Sequence, residues 1–183
     1  MHWTAEMVRT LPDDGNRYEC IDGVLFVTPS PGDPHQFVVG AFYRALFAYV
    51  EEAGVGFVLM TPADVPDGSG ALVQPDLFVF RNLPDAIHRQ PRSREHLLTI
   101  EVLSKSTARR DRTIKRAFYA RIGVHEYGIV DQAARRVERW RAGAAEAELE
   151  SGTLTWRPVG AARALLIDLP ALFDAIPEPY RTP

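Results

Sequence analysis

Two short apolar segments dominate the pattern of hydrophobic and polar residues along the chain. Residues 74–80 (Gln-Pro-Asp-Leu-Phe-Val-Phe) and 97–104 (Leu-Leu-Thr-Ile-Glu-Val-Leu-Ser) are rich in aromatic and β-branched side chains. Turn-forming residues flank both runs, which indicates strands buried on both faces of a sheet. Each run carries one carboxylate, Asp76 or Glu101, where hydrocarbon would be more stable. We therefore expect the two acids to share a positive partner, and a divalent cation with oxygen ligands is the natural candidate.

Alternation, helical periodicity and turn residues predict the other elements. Asp22-Gly23 between two extended runs is typical of a β-hairpin. The helix after Glu101 is expected to be a right-handed crossover to the next parallel strand. The fold class is therefore α/β (α+β), with a mixed central sheet flanked by helices and an N-terminal β-hairpin. The predicted strands are 17–20, 24–28, 57–60, 127–130, 135–140 and 148–156, with a turn at 151–152; the predicted helices are 4–11, 35–53, 108–122 and 170–176.

Composition is that of a globular protein, with no apolar run near the roughly 20 residues of a membrane span. The single cysteine, Cys20, excludes an intrachain disulfide. The N-terminus does not resemble a signal peptide, so a cytoplasmic location is expected. No Gly-x-Ser-x-Gly elbow, Walker-type phosphate loop or dinucleotide fingerprint occurs in the sequence, which argues against the enzyme classes that depend on them.

Charge is distributed unevenly along the chain. The net charge is −3, but residues 81–141 hold 15 of the 21 Lys and Arg and 7 of the 24 Asp and Glu, which gives +8 against −11 for the rest. This basic window includes Arg109, Arg110 and Arg116 and a polar loop at 81–96. Because phosphate contacts dominate nucleic-acid affinity, the window is a candidate nucleic-acid surface. Solvated arginines on exposed faces are the alternative.

A lysine completes the candidate chemistry. Lys115 follows Glu101 on the predicted helix, and two acids with a lysine form the working set of a metal-dependent phosphodiesterase. Mg²⁺ or Mn²⁺ suits such oxygen ligands better than Zn²⁺. Glu19 lies in the first strand, where alternation does not decide which way it faces. Weaker candidates are Asp111, which can pair with Lys115, and His35, Ser104 and Tyr119, which capping or packing also explains.

An ordered set of short motifs resembles a known family. Together these motifs are similar to the Uma-type restriction endonuclease family, formerly a domain of unknown function, within the PD-(D/E)XK nuclease superfamily. The resemblance extends from about Thr4 to about Phe173. The motifs are Glu19 to Gly23, Ser30-Pro31 with His35, Gln74 to Leu77, Glu101 to Ser104, Asp111 with Lys115 and Tyr119, and Gly123 to Tyr127.

The resemblance implies a single restriction-endonuclease-like domain over residues 1–183 and metal-dependent hydrolysis of DNA. Asp76 and Glu101 would be the motif acids and, with the backbone carbonyl of Val102 and with Glu19, the metal ligands. The family pattern places the catalytic lysine at the position of Leu103. Lys115 is the preferred replacement, and Lys105 is the alternative.

The sequence also leads to an expectation about oligomeric state and to an alternative function. A homodimer is expected, because two-fold symmetry suits an enzyme that cuts both strands of a duplex. The helix at 35–53 is one candidate interface. The rival interpretation is a catalytically inactive protein with the nuclease fold that acts as a DNA-binding or dimerisation module.

Overall fold

The computed structural model describes residues 1–65, 70–81 and 95–181, and ten strands alternate with short and long helices along the chain. The strands are β1 (Asn16–Ile21), β2 (Val24–Pro29), β3 (Phe57–Met60), β4 (Leu77–Arg81), β5 (Glu95–Val102), β6 (Glu126–Asp131), β7 (Arg136–Arg141), β8 (Glu148–Glu150), β9 (Thr153–Trp156) and β10 (Leu165–Asp168). The helices are α1 (Ala5–Val8), α2 (Asp33–Ala53), α3 (Ala108–Arg110), a π-helical turn (Asp111–Lys115), α4 (Arg116–Arg121), α5 (Leu169–Asp174) and a 3₁₀ turn (Glu178–Tyr180).

A six-stranded mixed sheet forms the centre of the protein, in the order β3-β4-β5-β6-β7-β8. Strands β5 and β6 are parallel, and the other neighbours are antiparallel. A parallel pair needs a crossover connection, which the chain from α3 to α4 supplies. The hairpin β1–β2 and the pair β9–β10 form two small separate sheets. The predicted mixed sheet, flanking helices and N-terminal hairpin are confirmed.

Strands β4 and β5 are buried on both faces, as their continuous apolar pattern predicts. Successive side chains of a strand point to opposite faces. Ile100 and Val102 therefore pack with Phe42 and Leu46 of α2 in the larger core. Glu101 lies between them in the chain, and its side chain points to the other face, where Tyr119 from α4 also packs. This alternation places one acid in the layer between the sheet and the crossover helices.

The hairpin is set by its turn. Asp22 and Gly23 both adopt positive φ, 51° and 78°, which is the conformation of a type I′ turn. The register pairs Glu19 with Phe26. Cys20 forms a bridge to Leu72, so the hairpin is fixed against the segment that precedes β4. Glu19 and Asp76 are thereby brought to the same side of the molecule.

The crossover helix is interrupted by a π-helical turn over Asp111–Lys115, which the periodicity did not predict. Both end residues of this turn, Asp111 and Lys115, are buried. π-turns are rare and occur often at functional sites. Here the turn directs two charged side chains towards the sheet.

Several predicted bounds differ from the structure. Strand β4 begins at Leu77, so Asp76 lies directly before the strand and not within it. The region 148–156 forms two strands in different sheets, because β9 pairs with β10 and not with β8. Helix α1 is only four residues long, capped by Thr4 as predicted. Most of the polar segment at 81–96 lies outside the described residues. No helix in the described ranges combines the length and hydrophobicity of a membrane span.

Candidate active site

Asp76 is held in place by three donors at the start of β4. Its Oδ2 accepts hydrogen bonds from the backbone amide of Val102 at 2.9 Å and from Nε2 of His35 at 3.0 Å. Its Oδ1 accepts one from Nη1 of Arg17 at 3.1 Å. The residue is 1% exposed. The amide bond to Val102 fixes this carboxylate beside the strand that carries Glu101.

These contacts decide the ionisation of Asp76. Burial on its own would raise the pKa, but the hydrogen bond from His35, the charges of His35 and Arg17, and the amide of Val102 together lower it to about 2. Asp76 is therefore a carboxylate at any physiological pH.

Glu101 has a different environment. Its Oε1 accepts hydrogen bonds from Nζ of Lys115 at 2.7 Å and from the Tyr119 hydroxyl at 2.8 Å. Its Oε2 receives no hydrogen bond from a described residue. Burial, followed by the charges of Asp76, Asp111 and Glu19, raises the pKa of Glu101 to about 8, despite the opposing charge of Lys115. Two acids whose pKa values are driven apart in this way are typical of catalytic sites.

Lys115 joins Glu101 to the hairpin. Its ammonium lies 2.9 Å from Oε1 of Glu19 as well as 2.7 Å from Oε1 of Glu101, and its side chain is 1% exposed. Burial by itself would lower the pKa of Lys115, but the charges of Glu101, Glu19 and Asp111 outweigh burial and raise it. The ammonium is therefore protonated at neutral pH, so it can orient water or neutralise phosphate charge but cannot accept a proton.

Glu19 faces inward and is fully buried. Besides its contact with Lys115, its Oε1 accepts a hydrogen bond from the backbone amide of Gln74 at 2.9 Å. Its Oε2 lies 3.3 Å from Nη2 of Arg110. Arg110 is itself largely buried and covers the Phe26 ring at 5.2 Å. Glu19 thus connects the hairpin, the segment before β4 and the crossover helix, and it positions Lys115.

The acids Asp76, Glu101 and Asp111 line one cavity of about 180 Å³, together with Val102 and Lys115. The two strand carboxylates therefore do not lie on opposite sides of the sheet. With Glu19 behind the cavity, four acids pair with three cations, which are Arg17, Arg110 and Lys115. Oδ1 of Asp111 is buried and has no hydrogen-bond partner among the described residues. Free carboxylate oxygens in a polar cavity fit a hard divalent cation.

The number of side-chain ligands limits which cation the cavity could hold. Among the described residues, no three His, Cys, Asp or Glu side chains form a complete metal site. Mg²⁺ needs no such cage, because it keeps several waters and accepts one or two carboxylates. Asp76, through its remaining lone pairs, and Oε2 of Glu101 would supply these carboxylates. Glu19 does not line the cavity, and both of its oxygens face protein cations, so its predicted role as a ligand stays a prediction.

The family of this fold and site is decided by comparison with known proteins. A family model, Uma2, described as a putative restriction endonuclease, matches residues 5–164. The chain belongs to the Uma2 family. No protein of curated function matches it. Five chains among the solved structures match. One is a putative nuclease of the DUF820 group from Anabaena variabilis, 19% identical, with a TM-score of 0.75 over 93% of this chain and 97% of that chain.

The Anabaena structure shows the shared fold, and membership of Uma2 supports a nuclease as the broad function. In this Uma2 protein the residue two positions after Glu101, where the resemblance implies a lysine, is Leu103, which packs against the apolar cluster around Tyr119. Lys105 is exposed. Of the two lysines, the structure places only Lys115 at the acids.

Some residues of this Uma2 site carry no sequence signal. Arg17 and Arg110 pair with Asp76 and Glu19, but in the sequence they are arginines among many. Arg110 belongs to the basic window in sequence, but its side chain is only 12% exposed, so its predicted contact with nucleic acid stays a prediction. His35, a weak candidate from sequence, contacts Asp76 directly. The two arginines become recognisable only through their tertiary contacts with Asp76 and Glu19.

Proposed function

We propose that this protein is a metal-dependent endonuclease of the PD-(D/E)XK type that hydrolyses phosphodiester bonds of DNA. The observation that carries the proposal is the convergence of Asp76, Glu101 and Lys115 on one cavity in a member of a restriction endonuclease family. A bound Mg²⁺ or Mn²⁺ would lower the pKa of a water ligand and neutralise charge on the phosphate. The same proposal includes a homodimer, with the half-exposed Phe37 and Phe47 of α2 at a candidate interface.

The protein's own groups would act around that water and phosphate. Asp76 is ionised and is fixed by the Val102 amide, so its carboxylate is already positioned for a cation. Glu101 turns one oxygen to Lys115 and Tyr119 and keeps the other for a ligand. The Lys115 ammonium, fixed by two carboxylates, would orient the attacking water or stabilise charge on the phosphate in the transition state.

A cleavage assay tests this proposal. Purified protein is incubated with single-stranded DNA, double-stranded DNA and RNA, in Mg²⁺, in Mn²⁺ and in EDTA. We expect cleavage of DNA that requires the metal and disappears in EDTA. DNA binding without cleavage in any metal would favour an inactive nuclease-fold module instead.

Metal affinity is expected to rise with pH between about 6 and about 8. Glu101 holds its proton below a pKa of about 8 in the metal-free protein. A carboxyl group must lose its proton to bind a cation, so each pH unit below this value should weaken binding by up to about tenfold. Mn²⁺ titration calorimetry in buffers of different ionisation enthalpy measures both the affinity and the protons released. The control is Glu101→Gln, which should show weaker binding without this pH slope. A pH-independent affinity without proton release would contradict the expectation.

DNA binding is expected to depend on exposed residues of the basic window. Many of its arginines are neutralised in the structure: Arg112 pairs with Glu138, and Arg139 pairs with Glu148. Arg109 is exposed, and Arg116 stacks on the Trp140 ring at 4.5 Å. Neither forms an ion pair with a described residue, so both can reach phosphate.

The charge reversals Arg109→Glu and Arg116→Glu should therefore each weaken DNA binding. Each should also lower the slope of log affinity against log salt concentration by about one, which corresponds to one lost phosphate contact. Binding is measured by fluorescence anisotropy in EDTA over a range of salt concentrations. Arg163→Glu, an exposed change outside the window, is the matched control. Equal effects at all three positions would show that the window is not the binding surface.

A further inference from the structure

We propose that Arg17 is a displaceable counter-ion of Asp76. In this role Arg17 neutralises the carboxylate while no divalent cation is bound, and the incoming cation takes over Asp76. The released guanidinium then binds an oxygen of the substrate phosphate. The first half of this inference concerns the metal site alone, and the second half rests on the proposed nuclease function.

Arg17 is held by the described residues through one of its three guanidinium nitrogens, Nη1. Its Nη1 lies 3.1 Å from Oδ1 of Asp76 and 3.4 Å from the carbonyl oxygen of Gln74. Its Nε and Nη2 donate to no described residue, and neither nitrogen is among the atoms that are buried without a hydrogen-bond partner. A guanidinium carries five N–H donors, and most of those on Arg17 are therefore available to a ligand.

The other cations of the site are held more firmly. Lys115 is enclosed between Glu101 and Glu19 with a 1% exposed side chain. Arg110 is fixed between Glu19 and the Phe26 ring. Within the described part of the chain Arg17 pairs with one carboxylate, Asp76, which is the one expected to bind metal, and the Arg17 side chain is 14% exposed. Arg17 is therefore the cation whose release costs the fewest contacts.

The position of Arg17 also suits a phosphate ligand. It lines the cavity that contains Asp76 and Glu101, and it lines a second cavity of about 230 Å³ that also includes Asn16 and Gln36. Ser30 and Pro31 are shared by both cavities as well. Arg17 thus lies at the junction between the metal site and an open polar groove. Its planar fork of donors matches two oxygens of a phosphate.

Electrostatics links the two halves of the inference. A divalent cation at Asp76 and the guanidinium of Arg17 repel each other at short range, so each binds more weakly in the presence of the other. The cation carries twice the charge and binds a carboxylate oxygen directly. Once the cation is bound, the attraction between Arg17 and Asp76 is offset, and a phosphate anion becomes the better partner.

The test compares Mn²⁺ affinity, measured by titration calorimetry without substrate, among three variants. Arg17→Gln removes the charge but keeps an N–H donor near Asp76, and it should bind Mn²⁺ about tenfold or more tightly than the wild type. Arg17→Lys keeps the charge and should bind Mn²⁺ like the wild type. Arg9→Gln is the matched control, because Arg9 pairs with Asp64 and is 58% exposed outside the cavity. Arg17→Met provides a second neutral variant if Arg17→Gln does not fold.

Cleavage at saturating Mn²⁺ tests the second half. Both Arg17→Gln and Arg17→Lys should be slower by about 10²-fold, because neither offers the bidentate donor fork. Neutral variants that bind Mn²⁺ no more tightly than the wild type would overturn the counter-ion role, while wild-type cleavage would leave the proposed function intact. If the neutral variants bind Mn²⁺ more tightly but the wild type cleaves no nucleic acid, the counter-ion role is supported and the proposed nuclease function is rejected.

Discussion

Replacing Asp76 by Asn is expected to reduce metal-dependent cleavage by about 10³-fold or more. The charge that a metal ion neutralises in a transition state is worth several kcal/mol, and each 1.36 kcal/mol is a factor of ten in rate. Asn keeps the volume of Asp and one oxygen that can accept the Val102 amide, so we expect a loss of stability of only about 1–3 kcal/mol. Single-turnover cleavage in Mg²⁺ and thermal unfolding in EDTA measure the two effects separately.

Asp22→Asn is the matched control for this change. Asp22 is exposed in the hairpin turn and pairs with Arg121 at 2.8 Å, and Asn tolerates its positive φ. We expect cleavage by this variant at the wild-type rate. An Asp76→Asn protein that folds and still cleaves at the wild-type rate would remove Asp76 from the catalytic site.

Replacing Lys115 by Met is expected to lower the turnover rate by about 10²-fold or more while metal binding persists. Met keeps the apolar stem and removes the charge that would act on the water or the phosphate. The change also leaves Glu101 and Glu19 without their shared cation, and removal of one member of a buried ion pair costs about 3–5 kcal/mol. Proton uptake by Glu101, whose pKa is already raised, limits this loss. Rates are therefore measured well below the melting temperature of the variant.

Two companion variants separate the possible roles. Lys105→Met is the control, because Lys105 is exposed on the loop after β5 and should not affect the rate. Lys115→Arg keeps a positive charge that does not deprotonate, so partial activity would indicate an electrostatic role and not proton transfer. If Lys115→Met cuts normally and Lys105→Met does not, the lysine assignment is wrong.

The sheet could be predicted because its signals are local. Continuous apolar runs identify β4 and β5, Asp22-Gly23 identifies the hairpin turn, and the interval between Glu101 and Tyr127 requires a crossover. The two acids stand out for the same reason, since each interrupts an apolar run. The family resemblance was confirmed by the match over residues 5–164.

The rest of the site depends on how distant segments pack. Glu19 occupies an ordinary strand position, and only the docking of the hairpin against residues 72–74 shows that it faces Lys115. The π-helical turn has no marker in a periodicity that is read at 3.6 residues per turn. Arg17 becomes notable only through its contact with Asp76, 59 residues away in sequence.

The charge of the basic window also depends on how distant segments pack. Its excess charge of +8 is counted over consecutive residues and does not describe a surface of the folded protein. In the folded protein, acids from outside the window meet several of its arginines: Arg110 pairs with Glu19, and Arg135 pairs with Asp174. The surface available to a nucleic acid is therefore smaller than the window, and it has to be defined by exposure and not by composition.

An anomalous-scattering map from a crystal grown with Mn²⁺ tests the central claim most directly. The proposal that Asp76 and Glu101 hold the catalytic cation predicts one strong peak in their shared cavity, about 2.0–2.6 Å from a carboxylate oxygen of each. The same map would show whether Arg17 has left Asp76. A peak bound elsewhere on the protein, or a cavity without a peak at saturating Mn²⁺, would contradict the account.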